Sequence, residues 1–314
     1  MVVNLSKVKK GSRINDVFLL KNINESVASN GNPFFKFHVA NKTGSLETIC
    51  WSITEELRTL FAKEFPVAHV TGTITEYEGK LQIKLASIKE ATEFEKGDLV
   101  ETVGMDKNII QAEIESTIEN IKNKEIKLIV KTIFEPCKEK FYDHVAAKKF
   151  HHEVVGGLGY HVYTMLLSAK QLAKIYGANE DLVCAGVILH DLGKLIEIEN
   201  PLNPTYSVEG NLRGHIAIMD TAIQKTVAKL IQEKKLDKDS EVPMLLSHMV
   251  LSHHGQLDWG SPVTPKLKEA LLLHFIDSID AKMYQVNKHL ENAEPGAMFN
   301  VPEMKTDFFK PKYC

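Results

Sequence analysis

The hydrophobic period of the chain changes once along its length. Between residues 11 and 90, apolar positions partly alternate with polar ones in short runs rich in β-branched and aromatic side chains, the pattern of a half-buried strand. Five such runs are read, at residues 13–20, 34–40, 46–51, 68–74 and 80–85. Turn signals at Asn30-Gly31-Asn32-Pro33, Asn41-Lys42-Thr43-Gly44 and Glu78-Gly79 separate them, and residues 54–65 read as one amphipathic helix after the third strand. From about Asp106 onward the period is helical. Helices are expected at residues 109–121, 125–134, 157–176, 180–198, 215–234, 242–253 and 266–290, the sixth closed by Gly255 as a left-handed cap. Pro201 and Pro204 mark a loop over residues 199–214.

Five strands with a helix after the third is the element order of an OB barrel. The expected architecture is a multidomain chain, β then α. A five-stranded OB-like barrel spans residues 1–96, a linker with connecting helices spans 97–140, and an all-α helical bundle spans 141–314. Composition adds only exclusions. The 314 residues are 44% hydrophobic and 25% charged, ordinary for a globular chain and too apolar for disorder. No apolar stretch approaches the roughly 20 residues of a membrane span, and the start lacks the apolar core of a leader, so a cytoplasmic protein with no membrane partner is expected. Cys50, Cys137, Cys184 and Cys314 form no Cys-x-x-Cys pair and read as reduced bystanders. Residues 1–90 carry 12 Lys and Arg against 9 Asp and Glu, leaving 26 against 32 for the rest. A mildly basic front end on an acidic body is compatible with a polyanionic ligand.

The chemistry is concentrated in the helical part. Eleven of the 13 histidines fall between His144 and His289. His190-Asp191-Leu192-Gly193-Lys194 follows the apolar run 182–189, which places an imidazole and a carboxylate at the end of a buried helix. A buried carboxylate is costly without a cationic partner, and a metal ion supplies one. His161, His215, the pair His253-His254 and Asp277 supply further ligands. Mixed imidazole and carboxylate donors suit Mn, Fe, Co, Ni or Zn. On one helix, His190, Asp191 and Lys194 can share a site. The two oxygens of Asp191 can bridge two cations, so two ions per subunit are expected, one completed by His161, His190 and Asp277, the other by His215 and the His253-His254 pair. Such a pair of ions serves phosphoryl hydrolysis, with Lys194 holding a non-bridging phosphate oxygen and Asp191 and Lys194 as the catalytic candidates. The sequence does not choose between His253 and His254. His144, His248 and His274 read as packing residues, and His151 and His152 as either substrate contacts or structure.

The ordered series His, His-Asp, His, His-His, Asp resembles the HD-domain metal-dependent phosphohydrolase superfamily over residues 146–290. The lead into His161, from Ala146 through His151-His152 to Leu158, resembles the YhaM-type 3'-5' exoribonucleases, which join an N-terminal OB fold to a C-terminal HD domain. Gly159-Tyr160 departs from the bulkier aliphatic and acidic pair expected there. The resemblance favours Asp277 over Asp280 as the last ligand and Mn as the metal. It implies hydrolysis of single-stranded RNA from the 3' end to nucleoside 5'-monophosphates, with single-stranded DNA as a second candidate substrate.

In the barrel, Phe35, Phe37, Trp51, Tyr77, Lys80, Gln82 and Lys84 are the candidates for contacting nucleic acid, with burial in the barrel core as the competing reading for Phe35 and Phe37. Two rival functions remain open at this point: a phosphohydrolase of small nucleotides or cyclic dinucleotides, and a non-catalytic single-strand-binding protein. The acidic helical body also offers surface for a homo-oligomer.

Overall fold

A computed structural model describes residues 2–63, 66–147, 154–201 and 204–313. The chain divides into two compact units, Met1–Thr102 and Val103–Cys314.

In the first unit, β1 (Arg13–Val27), β2 (Pro33–Asn41), β3 (Gly44–Cys50), α1 (Glu55–Phe61), β4 (Val67–Tyr77), β5 (Lys80–Glu90) and the short α2 (Lys96–Leu99) follow in order. The strands close a barrel in the order β1-β2-β3-β5-β4. All pairs are antiparallel except β3 with β5, a parallel contact limited to Glu47–Gln82 and Thr48–Ile83. Alternation along β4 buries Val70 and Ile74 while Thr71 and Thr73 remain partly open, the period-2 signature of a strand with one face inward. The inward side chains Phe18, Leu20, Phe37, Val39, Val70, Ile74 and Ile83 fill the barrel, and Phe61 of α1 joins the same cluster. Gly72 permits the close approach of β4 to β5, since a Cβ there would stand 2.7 Å from the Lys84 carbonyl oxygen. Thr54 caps α1 by accepting from the Leu57 N–H, so that helix starts where the sequence placed it. Its expected end at Phe65 lies outside the described residues.

In the second unit, α3 (Lys107–Asn120), α4 (Lys124–Phe134) and α6 (Gly157–Tyr176) pack around α7 (Glu180–Leu189) together with later helices, and the short α5 (Lys138–Tyr142) packs on α6. Every residue of α7 from Leu182 to Leu189 is buried, which explains why its sequence is apolar on all sides. The helix expected over 180–198 is broken. α7 stops at Leu189, a turn carries His190 to Gly193, and α8 (Lys194–Glu197) begins anew. Gly193 in that turn admits the backbone of α9, since a Cβ there would stand 2.1 Å from the His215 carbonyl oxygen.

The loop expected over 199–214 contains a two-residue hairpin, β6 (Ile198–Glu199) with β7 (Thr205–Tyr206), and the start of α9 (Val208–Gln232). α9 is two helices joined at Gly214, whose φ of 68° and ψ of 155° turn the chain immediately before His215. α10 (Val242–Ser252), α11 (Lys268–Leu290) and a hairpin of β8 (Met298–Val301) with β9 (Thr306–Phe309) complete the unit. Gly159 is part of regular α6 because Tyr142, Ile110 and Phe141 pack over it, leaving no room for the bulkier residue expected.

Candidate metal centre and nucleic-acid face

Three helix ends and two helix bodies meet at Asp191. His161 projects from α6, His190 and Asp191 from the turn after α7, His215 from just beyond the kink in α9, His253 and His254 from the end of α10, and Asp277 from α11. Ligand atoms of His161, His190 and Asp191 lie within 4.8 Å of one another, as do those of His190, His253 and Asp277, and those of His215, His253 and His254. All seven expected residues are thus brought together. The grouping differs in one respect from the division read in the sequence: His253 stands beside both His190 and His215, at the junction of the two halves.

Each imidazole is aimed through its Nδ1. His190 donates to the Val187 carbonyl at 2.8 Å and His253 to the Val250 carbonyl at 2.7 Å. Both acceptors sit in the last turn of a helix, where carbonyls lack an intrahelical partner, so the ends of α7 and α10 orient their own histidines. His254 donates to the Trp259 carbonyl at 2.8 Å. His161 and His215 use carboxylates instead: Asp280 at 2.7 Å and Glu197 at 3.0 Å. Glu197 also accepts the backbone N–H of His215, an orphan donor at the restart of α9. With Nδ1 spent, every Nε2 is left for the centre. His190 and His161 place Nε2 3.3 and 3.8 Å from Asp191 Oδ2, whereas His215 and His253 place theirs 3.5 and 3.9 Å from Oδ1. The two oxygens of Asp191 therefore face two different sets of imidazoles.

The electrostatics are those of a charged site kept dry. Burial pushes the Asp191 carboxyl up, but the Lys194 ammonium at 2.6 Å, with His190 and His215, holds it well below the usual carboxylate range. Burial opposes the ionised form of Asp277 too, and its hydrogen bond to His161, with the His190 and His253 rings, keeps it low. Burial also acts against protonation of His161, yet Asp277 and Asp280 raise it to about 10. His253 is held well below its ordinary value by burial and by the His190 and His254 rings, and His254 is lowered by burial and His215.

Metal ligation can be tested on the polar atoms themselves. His190 Nε2, Asp191 Oδ1 and His215 Nε2 are buried without a hydrogen-bond partner. Orphaned atoms of this kind are costly, and several pointing at one another are more so. A divalent cation among nitrogen and oxygen donors removes that cost, so the residues fit the group.

Sequence reading missed Glu197 as a partner of His215, and weighed Asp280 only as a rival ligand, whereas it lies on the Nδ1 side of His161. Lys194 reaches Asp191 from a separate helix rather than along the same one, and its ammonium is engaged with that carboxylate. His274 and His248 prove to be packing groups: His274 donates to the His253 carbonyl, and His248 accepts the Lys266 N–H. His151 and His152 lie outside the described residues.

On the barrel, Phe37 is fully buried and Phe35 packs edge-on against Phe61 at 4.7 Å, so both belong to the core and offer no stacking face. The alternation of β2 points them inward. Trp51 and Tyr77 are 56% and 63% exposed. Trp51 leans on Phe34 at 4.7 Å, an aromatic neighbour not singled out from sequence. Lys80 and Lys84 are exposed on β5, while Gln82 donates to Glu47 across the β3–β5 contact. Trp51, Gln82 and Lys84 line a groove of about 900 Å³ between β3, α1 and β5.

Residues 158–282 match the HD domain model, and an HD domain implies divalent-metal binding. Over 290 residues, 91% of the chain, it is 40% identical to a 3'-5' exoribonuclease YhaM of Geobacillus sp. (strain WCH70), covering 87% of that protein. The proteins of that name from Bacillus velezensis and Bacillus subtilis (strain 168) are each 39% identical over the same length, with 90% of each covered. Since that identity runs through barrel and helical unit alike, the chain belongs to the YhaM family of 3'-5' exoribonucleases.

Proposed function

We propose that the chain is a metal-dependent 3'-5' exoribonuclease that hydrolyses single-stranded RNA to nucleoside 5'-monophosphates. The observation that carries this is the gathering of five histidines and Asp277 around buried Asp191, each ring fixed through its Nδ1. His161, His190, Asp191, His215, His253, His254 and Asp277 would hold two ions, Mn being the metal proposed, while Co, Fe, Ni and Zn also suit these donors. When bound, the ions supply Lewis acidity at the scissile phosphate and a nucleophile at neutral pH. The chain's own contribution is rigidity and charge. Asp191 keeps its two oxygens divided between two imidazole sets, Lys194 offsets its charge and would be the cation to hold a non-bridging phosphate oxygen, and the buried walls exclude bulk water.

The barrel is assigned the grip on the strand, through Trp51, Tyr77, Lys80 and Lys84, raising the local concentration of substrate for a site on the same chain. Single-stranded DNA is the second substrate to test. The described cysteines Cys50, Cys137 and Cys184 are all free, which suits the reducing cytoplasm where we place the activity. Among the described residues no helix is long and apolar enough to cross a membrane. Self-association is part of the proposal, since Leu271, Phe275, Ile279 and Met283 form an exposed ridge at four-residue spacing on α11.

The test is digestion of a 5'-labelled single-stranded RNA with and without Mn. A ladder shortening from the 3' end only with metal is the expected result. An intact oligomer alongside hydrolysed free nucleotides would move the assignment to a small-molecule phosphohydrolase.

A further inference from the structure

His254 is tied to a short helical turn, Leu257–Trp259, that the metal cage itself does not require. The turn is stapled on every side. The N–H groups of Trp259 and Gly260 return to the carbonyls of Gln256 and Leu257, and Gly260 takes a φ of 84° that ends the turn. The buried Ser261 hydroxyl lies between the carbonyls of Leu251 and Val263. Despite this anchoring the Trp259 indole remains 51% exposed, its inner side resting on the His274 ring at 5.9 Å. His274 lies three residues before Asp277 on α11 and donates to the His253 carbonyl. Trp259 thus meets the cage at two points, its backbone carbonyl holding the His254 ring and its indole lying against His274, which in turn holds the His253 carbonyl.

His254, the ring tied to this turn, is one of the open residues of the cage. His161, His190 and His253 are completely or almost completely buried, whereas His215, His254 and Asp277 are partly open. A nucleoside whose phosphate sits at the cage must leave it past the open residues. We propose that Trp259 is the stacking platform for the nucleobase at the 3' end of the substrate strand, a base subsite at the mouth of the metal centre. The inference rests on the exoribonuclease reading and adds the group that seats the terminal nucleotide. Stacking on an indole suits an enzyme that must accept each base in turn, since every base has a π-face and the contact reads no hydrogen-bonding edge. The rigid turn means the platform is in place before substrate arrives.

The chain has two tryptophans, Trp51 and Trp259, so Trp51→Phe leaves one indole to report. With Mn present, adenosine 5'-monophosphate should quench its fluorescence saturably, while ribose 5-phosphate, which has the phosphate and no base, should not. Kinetically, Trp259→Ala should raise KM for a single-stranded oligoribonucleotide about tenfold with kcat nearly unchanged, and Trp259→Phe should recover most of the loss. An oligomer whose 3'-terminal nucleotide lacks its base should suffer that loss with the wild-type protein and no further loss with Trp259→Ala. Equal response to both phosphates, or an unchanged KM in Trp259→Ala, would overturn the proposal. So would a variant that shifts the sedimentation coefficient and leaves KM alone, which would assign the ring to contact between copies. The titration reads base binding without turnover, so its failure is distinct from a failed RNA digest.

Discussion

At the scale of single residues, the site is defined as much by what stands behind each imidazole as by what stands in front. Glu197 binds both the Nδ1 and the backbone N–H of His215 and so fixes the ring and its tautomer. Glu197→Gln keeps the shape and removes the charge. Mn affinity by calorimetry should fall by about ten- to a hundredfold with an unchanged circular dichroism spectrum, and an unaltered affinity would show that Glu197 does not orient a ligand. The protonation states make a second prediction for metal-free protein. His161, raised to about 10 from an ordinary 6.5, adds stability that is complete below pH 6.5 and is lost as pH climbs through 10. His253, held well below 6.5, refuses a proton that the unfolded chain accepts, so stability also falls as pH drops below 6.5. The melting temperature in chelator should therefore peak near pH 6.5, and Mn should raise it more at pH 9 than at pH 6, because the cation takes the place of the His161 proton. A flat profile from pH 6.5 to 9 in chelator would contradict this. Asp191 and the six residues around it were legible in the sequence, His190 and Asp191 because they end an apolar run and the rest from the clustering of histidines and the order of the HD-like series. Glu197 and the new role of Asp280 were not, since both depend on how one helix meets another.

At the scale of elements, α8 and α9 touch backbone to backbone through glycines. A Cβ on Gly193 would lie 2.1 Å from the His215 carbonyl oxygen, and one on Gly210 would lie 2.5 Å from that of Glu197. Gly193→Ala should cost about 2–3 kcal/mol in denaturant unfolding as the helices are forced apart, and should move His215 off the centre and lower Mn affinity. Unchanged stability and affinity would mean that the contact is slack. The barrel strands were readable from alternation and turn residues, although β1 and β5 run further than expected, to Val27 and Glu90. The break between α7 and α8 was not readable, because the apolar pattern continues through Leu192 and Leu195. The β8–β9 hairpin, with four residues in each strand, is too short to show a period.

At the scale of the whole molecule, one chain joins an OB-like barrel presenting exposed aromatics to a helical unit that holds a dry, charged cage. The change of period near residue 106 made this division visible, and the structure parts the units between Thr102 and Val103. Strand binding is assigned to the first unit and hydrolysis to the second, where metal binding and hydrolysis both pass through Asp191. The most direct measurement is therefore the number of Mn ions retained per chain after equilibrium dialysis, for wild type and for Asp191→Ala, with RNA binding and 3' shortening followed on the same samples. The wild type should retain two ions and shorten RNA. Asp191→Ala should retain fewer than one, leave RNA intact and still bind it. Equal metal content and equal activity in the two proteins would contradict the account.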